Sequence, residues 1–185
     1  AAEAIVGENL ATADRLQALV ENSLLRQEES TEDSRLVMLQ TLREYAVGRL
    51  KETPDADEVF RHYAEYFLEM AESSEPQMRG PQQKIWIEKL EKEHDNLRAA
   101  MRNSLERGQV EMTLRLGGAL WRFWAARGYL SEGRQWLESA LEKANASAVS
   151  PSVRARALEG VGVLYINQGN YHRATNFLEL CLTLF

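Results

Sequence analysis

One arrangement of residues occurs twice in the C-terminal half of the chain, and it restricts the fold more than anything else in the sequence. The first copy runs Leu120-Trp121, Trp124, Gly128, Gly133, Leu137, Ala140-Leu141; the second runs Val161-Gly162, Tyr165, Gly169, Ala174, Leu178, Cys181-Leu182. In each, large apolar residues at helical spacing lead to a glycine, and a second helical stretch follows with small residues where the two helices would cross. A helical hairpin of this kind cannot bury its apolar face alone, so neighbouring hairpins stack and share a core. The turn glycines Gly128 and Gly169 suit a left-handed cap. Gly117, Gly133, Gly162 and Ala174 are predicted to sit at close crossings, with Trp121, Trp124, Tyr165 and Leu178 filling the spaces between hairpins. Stacks of this type build binding surfaces rather than catalytic pockets.

The rest of the composition agrees with a globular protein. Of 185 residues, 44% are hydrophobic and 27% charged, so disorder is not expected away from the ends. The net charge of −6 argues against nucleic acid as the main partner, because phosphate contacts need clustered Lys and Arg. There is no long apolar run for a membrane span and no signal peptide at Ala1. The single Cys181 excludes an internal disulfide and fits a reducing compartment, so a cytoplasmic location is expected. Asn145-Ala146-Ser147 matches a glycosylation sequon but reads as a polar loop. The chain begins without Met, in what reads as mid-helix over Ala1–Val6, and stops in the uncapped apolar stretch Leu180–Phe185; it reads as a piece of a longer protein.

Along the chain, the spacing predicts a helix over residues 11–22 with Thr12 as N-cap, a strand over 23–27, a charged turn over 28–33, and a returning strand over 35–39. Thr41 and Glu44 fit a capping box for a helix over 42–51. A helix beside a two-stranded hairpin is the C-terminal part of a winged helix. Pro54 marks a boundary. A helix over 55–73 follows, with Val59, Tyr63, Tyr66, Phe67 and Met70 as its apolar stripe. Residues 74–81 read as a turn, with Pro81 as the first residue of a helix carrying Ile85, Trp86 and Leu90. A bend capped by Asp95 is predicted near Asp95-Asn96. Leu97, Met101 and Leu105 continue the apolar stripe to Gly108. Four repeat helices follow, over 110–127, 131–144, 152–168 and 171–185. The expected class is mainly α: a partial winged helix over residues 1–53, connecting helical hairpins over 54–108, and helical repeats over 109–185.

The second hairpin resembles the tetratricopeptide repeat: Leu158, Val161, Gly162, Tyr165, Gly169, Ala174 and Leu178 follow that family's pattern, with Cys181 in place of the usual Ala. The first is degenerate, since Trp121, Trp124 and Gly133 replace the expected Gly, Tyr and Ala. A second resemblance covers more of the chain. The blocks Leu19–Arg26, Met38–Ala46, His62–Phe67, Glu93–Ala100 and Leu120–Trp124, in this order and followed by Gly128 and Gly133-Arg134, resemble bacterial STAND-class signal-transduction ATPases and LuxR- or AfsR-like transcriptional regulators. That resemblance implies an NTPase domain upstream, then a winged helix, then a tetratricopeptide-like sensor array, with this chain at the junction of the last two. No Gly-x-x-x-x-Gly-Lys-Ser/Thr loop is present, so no ATP hydrolysis is expected from this chain.

The search for chemistry finds little. His62, His94 and His172 lack metal-ligand spacing and read as surface or packing histidines. Cys181 falls where the repeat wants a small buried residue. The dense charges over 84–107 alternate in sign, as on a solvated helix face. Residues 1–53 carry ten acidic against six basic residues, a poor footprint for a DNA-reading wing. The candidate binding face lies on the first helix of each hairpin, where Arg115, Arg122, Arg156 and Asn167 would line a groove; guanidinium groups there suit an acidic peptide or carboxylate. Arginines satisfied within the domain are the competing reading. No catalytic, metal or cofactor-binding residue is assigned. The expected role is a non-enzymatic interaction module with a protein or peptide partner, including the upstream NTPase domain. The alternative is an oligomerisation scaffold that pairs through the C-terminal apolar face.

Overall fold

A computed structural model describes residues 5, 10–29, 34–144 and 149–184. The reading of Ala1–Val6 as helix, the sequon and most of the charged turn lie outside the described residues. Among those described, the chain is nine helices and one antiparallel hairpin, so it is mainly α. It divides into two compact units, one ending at Tyr63 and a second beginning at Ala64.

In the first unit, α1 spans Leu10–Glu21 and is followed by strands β1 (Arg26–Glu29) and β2 (Ser34–Val37), which pair antiparallel with Arg26 opposite Val37 and Glu28 opposite Arg35. The chain leaves α1 through Ser23, which adopts a left-handed φ of 59°, so β1 starts later than the predicted residue 23. Thr12 is buried inside α1 rather than capping it. Helix α2 spans Gln40–Lys51 with Leu39 at its N-cap position and no side-chain cap. The predicted Thr41–Glu44 capping box is not formed. Instead Gln40 donates to Glu44 at 2.7 Å, a pair one turn apart on an exposed face.

Helix α3 (Ala56–Gln77) is longer than expected and carries Pro76 in its last turn. Pro76 lacks an N–H, yet the turn persists because Phe60, Ala64, Phe67, Ala71, Ser74 and Met78 are all buried at spacings of three and four. The core stripe is therefore one residue on from the predicted Val59, Tyr63, Tyr66 and Met70. The side chain of Ser74 donates to the Met70 carbonyl at 2.6 Å, which hides its hydroxyl. Helix α4 (Gln83–Lys92) begins after Pro81, not on it, and leaves Ile85 64% exposed. The bend falls at Glu93, ahead of α5 (His94–Glu106). Asp95 lies in the first turn rather than at the cap, and Asn96 donates back to Glu93 at 2.6 Å.

The repeat helices are α6 (Val110–Arg127), α7 (Leu130–Ala144), α8 (Pro151–Asn167) and α9 (Tyr171–Leu182). Each packs on the next, α6 also packs on α8, and α5 packs on α6. Gly128 and Gly169 have φ of 80° and 75°, the left-handed cap expected of them. Ser150 caps α8 by accepting from the Val153 N–H, with Pro151 at the first helical position. The small residues sit at crossings so close that a Cβ would collide. At Gly133 it would lie 2.3 Å from the Trp124 ring, at Gly117 2.6 Å from Leu137, and at Gly162 2.7 Å from Leu178. Trp124, Phe123, Leu114, Leu120 and Leu137 are fully buried between these helices.

Candidate functional site

Three of the four predicted groove residues come together, and carboxylates from α3 join them. The α3 stripe that buries Ser74 also directs Glu72 and Glu75 toward the repeats. Arg115 on α6 grips Glu72 with a two-pronged pair, Nε and Nη2 each at 2.9 Å from a carboxylate oxygen. Glu75 is only 8% exposed. It receives Arg122 of α6 at 3.2 Å, Arg79 at 3.5 Å, and Arg156 of α8 on its other oxygen. The Arg122 guanidinium also lies over the Trp121 ring, 3.9 Å from its centre, a cation–π contact. Burial holds the Arg122 guanidinium below its ordinary value, and the like charge of Arg79 adds to that, against the opposing pull of Glu159. The stem of Arg156 rests on Gly118, where a Cβ would lie 3.2 Å from it. Asn167 stands apart from this group: it is exposed at the far end of α8 and donates to the Val163 carbonyl at 2.9 Å.

Beside the cluster lies a cavity of about 110 Å³ lined by Glu72, Leu114, Arg115, Ser152, Val153 and Arg156. Sequence reading located the arginines but missed Glu72, Glu75 and Arg79. Glu75 and Arg79 sit beside Pro76, in the stretch 74–81 whose proline and glycine content reads as a turn, Glu72 lies in the predicted helix just before it, and no local spacing announces the arginines of α6 and α8 more than forty residues away.

Two further polar clusters tie helices together. His94 is buried against the rings of Phe123 and Tyr129, with centroids at 5.1 and 4.4 Å. Its Nε2 is 3.3 Å from Glu132, without hydrogen-bond alignment. Arg98 clamps the same Glu132 at 2.6 and 2.5 Å. Burial pushes the His94 imidazole below its ordinary value, and the Glu132 charge only partly offsets this. Burial alone would raise the Glu132 carboxyl. The Arg98 hydrogen bond and the nearby positive charges outweigh that and hold it below the usual range. On the same side, Glu91 accepts from Arg127 at 2.6 Å and from the Tyr129 hydroxyl at 2.7 Å. In the second cluster the buried Tyr165 hydroxyl donates to Glu138 at 2.6 Å and accepts from Arg134 and Arg173, each at 2.9 Å. These clusters bridge packed elements, so we read them as structural.

Of the remaining singled-out residues, His62 contacts Arg61 at 3.0 Å and His172 is exposed. Cys181 donates to the Ala155 carbonyl at 3.2 Å, and burial pushes its thiol up, away from the reactive thiolate. Among the described residues, no group of three or more His, Cys, Asp or Glu side chains is placed to hold a metal ion. No described helix is long and apolar enough to cross a membrane.

Comparison with known proteins adds relatives. The chain is 35% identical over 153 residues to proteins named HTH-type transcriptional regulators in Mycobacterium bovis and in two strains of Mycobacterium tuberculosis. The match takes in 82% of this chain but only 17% of each relative. No family model matches the chain, and no solved structure matches it.

Proposed function

We propose that this chain is a non-catalytic interaction and regulatory module of a larger transcriptional regulator. The observation that carries this reading is the extended similarity to regulators of which the matched region is a small part. The finer reading draws on the resemblance to STAND-class proteins. A tetratricopeptide-like array, α6 to α9, senses a protein or peptide, and the hairpin unit passes that state to an NTPase domain upstream. The first unit supports a role in contact. Leu36 is 39%, Leu39 67% and Tyr45 69% exposed, which is costly apolar surface for a segment without a partner. In the repeat unit, the cluster of Arg115, Arg122 and Arg156 is the candidate effector side.

The net charge of −6 argues against nucleic acid, but the relatives' name gives that expectation no support, so DNA contact becomes an outcome of the test. The test uses the intact parent regulator driving a reporter gene. The double substitution L36D/L39D is expected to abolish the regulated response while DNA binding in a gel-shift assay is retained. A gel shift lost with these substitutions, or a response left intact, would reject the reading.

A second reading, self-association, is favoured by Leu180 and Leu182, which are 55% and 73% exposed on α9. Sedimentation equilibrium distinguishes it: a monomer at high concentration rejects it.

A further inference from the structure

We propose that the cavity between Arg115 and Arg156 binds a phosphoryl group, free or as a monoester, in competition with Glu72. The proposal rests on the reading of this arginine face as the effector side, and it names the chemistry that side would recognise.

The charge around the cavity is unbalanced. Four guanidiniums, those of Arg79, Arg115, Arg122 and Arg156, share two carboxylates in direct contact, Glu72 and Glu75. A third carboxylate, Glu159, acts on Arg122 only through space. Against these three carboxylates the four guanidiniums leave one surplus positive charge among the described residues, with only Arg122 mostly withdrawn from water, in a chain that is acidic overall. Such a surplus is relieved by an anion.

The cavity sets the size of that anion. About 110 Å³ is the liquid volume of roughly four waters, room for a phosphoryl-sized headgroup. Its lining supplies the matching groups. Arg115 and Arg156 present guanidinium forks, the geometry that pairs with oxyanions. Ser152 adds a hydroxyl, 3.3 Å from that of Ser150. Gly118 seats the stem of Arg156 and so fixes where its guanidinium reaches.

Glu72 decides the charge of the ligand. It already holds Arg115 with two hydrogen bonds, so a monoanionic carboxylate would only exchange like for like. A phosphoryl group carries about −1.5 to −2 at neutral pH and gains more from the surplus than Glu72 does. Glu72 therefore acts as an internal stand-in.

The test titrates the full chain, ¹⁵N-labelled, with inorganic phosphate, glycerol phosphate, acetate and chloride at constant ionic strength, and follows amide shifts and calorimetric heats. Saturable 1:1 binding of phosphate is expected, with the largest shifts at Glu72, Ser152 and Val153. Acetate should bind at least about tenfold more weakly, the scale of one charged hydrogen bond. Binding of inorganic phosphate alone identifies a free ion as the ligand; equal binding of glycerol phosphate identifies a monoester. R115Q and R156Q should each weaken binding about tenfold or more. Glu72→Gln should tighten it roughly two- to fivefold, as loss of a part-exposed competing pair would. G118A keeps every charge, shifts the Arg156 stem by a few tenths of an ångström and should weaken binding to a smaller degree, which covers the case in which R156Q fails to fold. Shifts that follow chloride and phosphate alike, or binding untouched by R115Q and G118A, would overturn the proposal. Because no partner protein enters this titration, its failure is separate from failure of the regulatory reading.

Discussion

Replacing Gly133 by Ala tests whether the repeat glycines are there for close packing or only for turn geometry. In isolation the change should help, because Ala in a helix interior is worth about 1 kcal/mol over Gly. The crossing reverses the sign. The added Cβ would lie 2.3, 2.6 and 3.0 Å from three atoms of the Trp124 ring, against an ordinary carbon contact of about 3.5–4.0 Å. Trp124 is 1% exposed, so the ring must shift into filled space, at a cost of about 1–3 kcal/mol. With shortfalls of an ångström or more against a rigid ring, the upper part of that range applies, and a net loss of about 1–2 kcal/mol remains. For a unit of this size that lowers Tm by roughly 4–8 °C. Urea and thermal unfolding of G133A, W124L and the double variant measure it. W124L opens a cavity that accepts the methyl, so the double variant should be more stable than the sum of the single effects by at least about 0.5 kcal/mol. A G133A protein as stable as the native one, or strictly additive losses, would refute the packing argument.

Gly48, inside α2 with nothing within 4 Å of a built Cβ, should show the opposite sign: G48A is expected to stabilise its helix by roughly 0.5–1 kcal/mol in chemical denaturation. Tyr165→Phe removes a buried hydroxyl shared by Glu138, Arg134 and Arg173, and should cost about 1–3 kcal/mol in urea unfolding. Acidification should weaken the fold through His94, whose folded value lies below the ordinary 6.5. The unfolded chain then takes up the proton first, so stability falls as pH drops through about 6.5 and levels off once the folded imidazole also protonates. The H94Q variant should lose that slope in denaturation midpoints measured across this window. Glu132, held below its usual range, contributes stability that is present above the ordinary carboxylate value and lost as pH falls through the folded one. E132Q should therefore flatten the acid limb of the same curve.

The parts of the fold legible in the sequence are those set by local rules. Residues 110–127 follow a helical apolar period and end at a glycine that needs a left-handed cap, and α6 occupies those bounds. The crossings at Gly117, Gly133 and Gly162 were readable because only the smallest residue fits where helices nearly touch. The misread elements are those where burial overrides a local signal. Pro76 reads as a breaker, but burial of Ala71, Ser74 and Met78 carries α3 past it. Thr12 and Thr41 read as caps, yet the helices start two and one residues earlier. At the candidate site, the arginines were visible as charges on one helix face. Their partners Glu72 and Glu75 were not, since ion pairs spanning more than forty residues leave no periodic trace. Asn167 fits the helical face by count but lies a full helix length from Arg156's end of α8.

The most direct measurement of the regulatory reading is calorimetric titration of this chain with the N-terminal remainder of its parent regulator, with and without nucleotide. The expected result is one-to-one association that depends on nucleotide state and is lost in L36D/L39D, with the circular dichroism of the variant unchanged. No association in any nucleotide state would contradict the claim that this chain is the link between a repeat sensor and its switch.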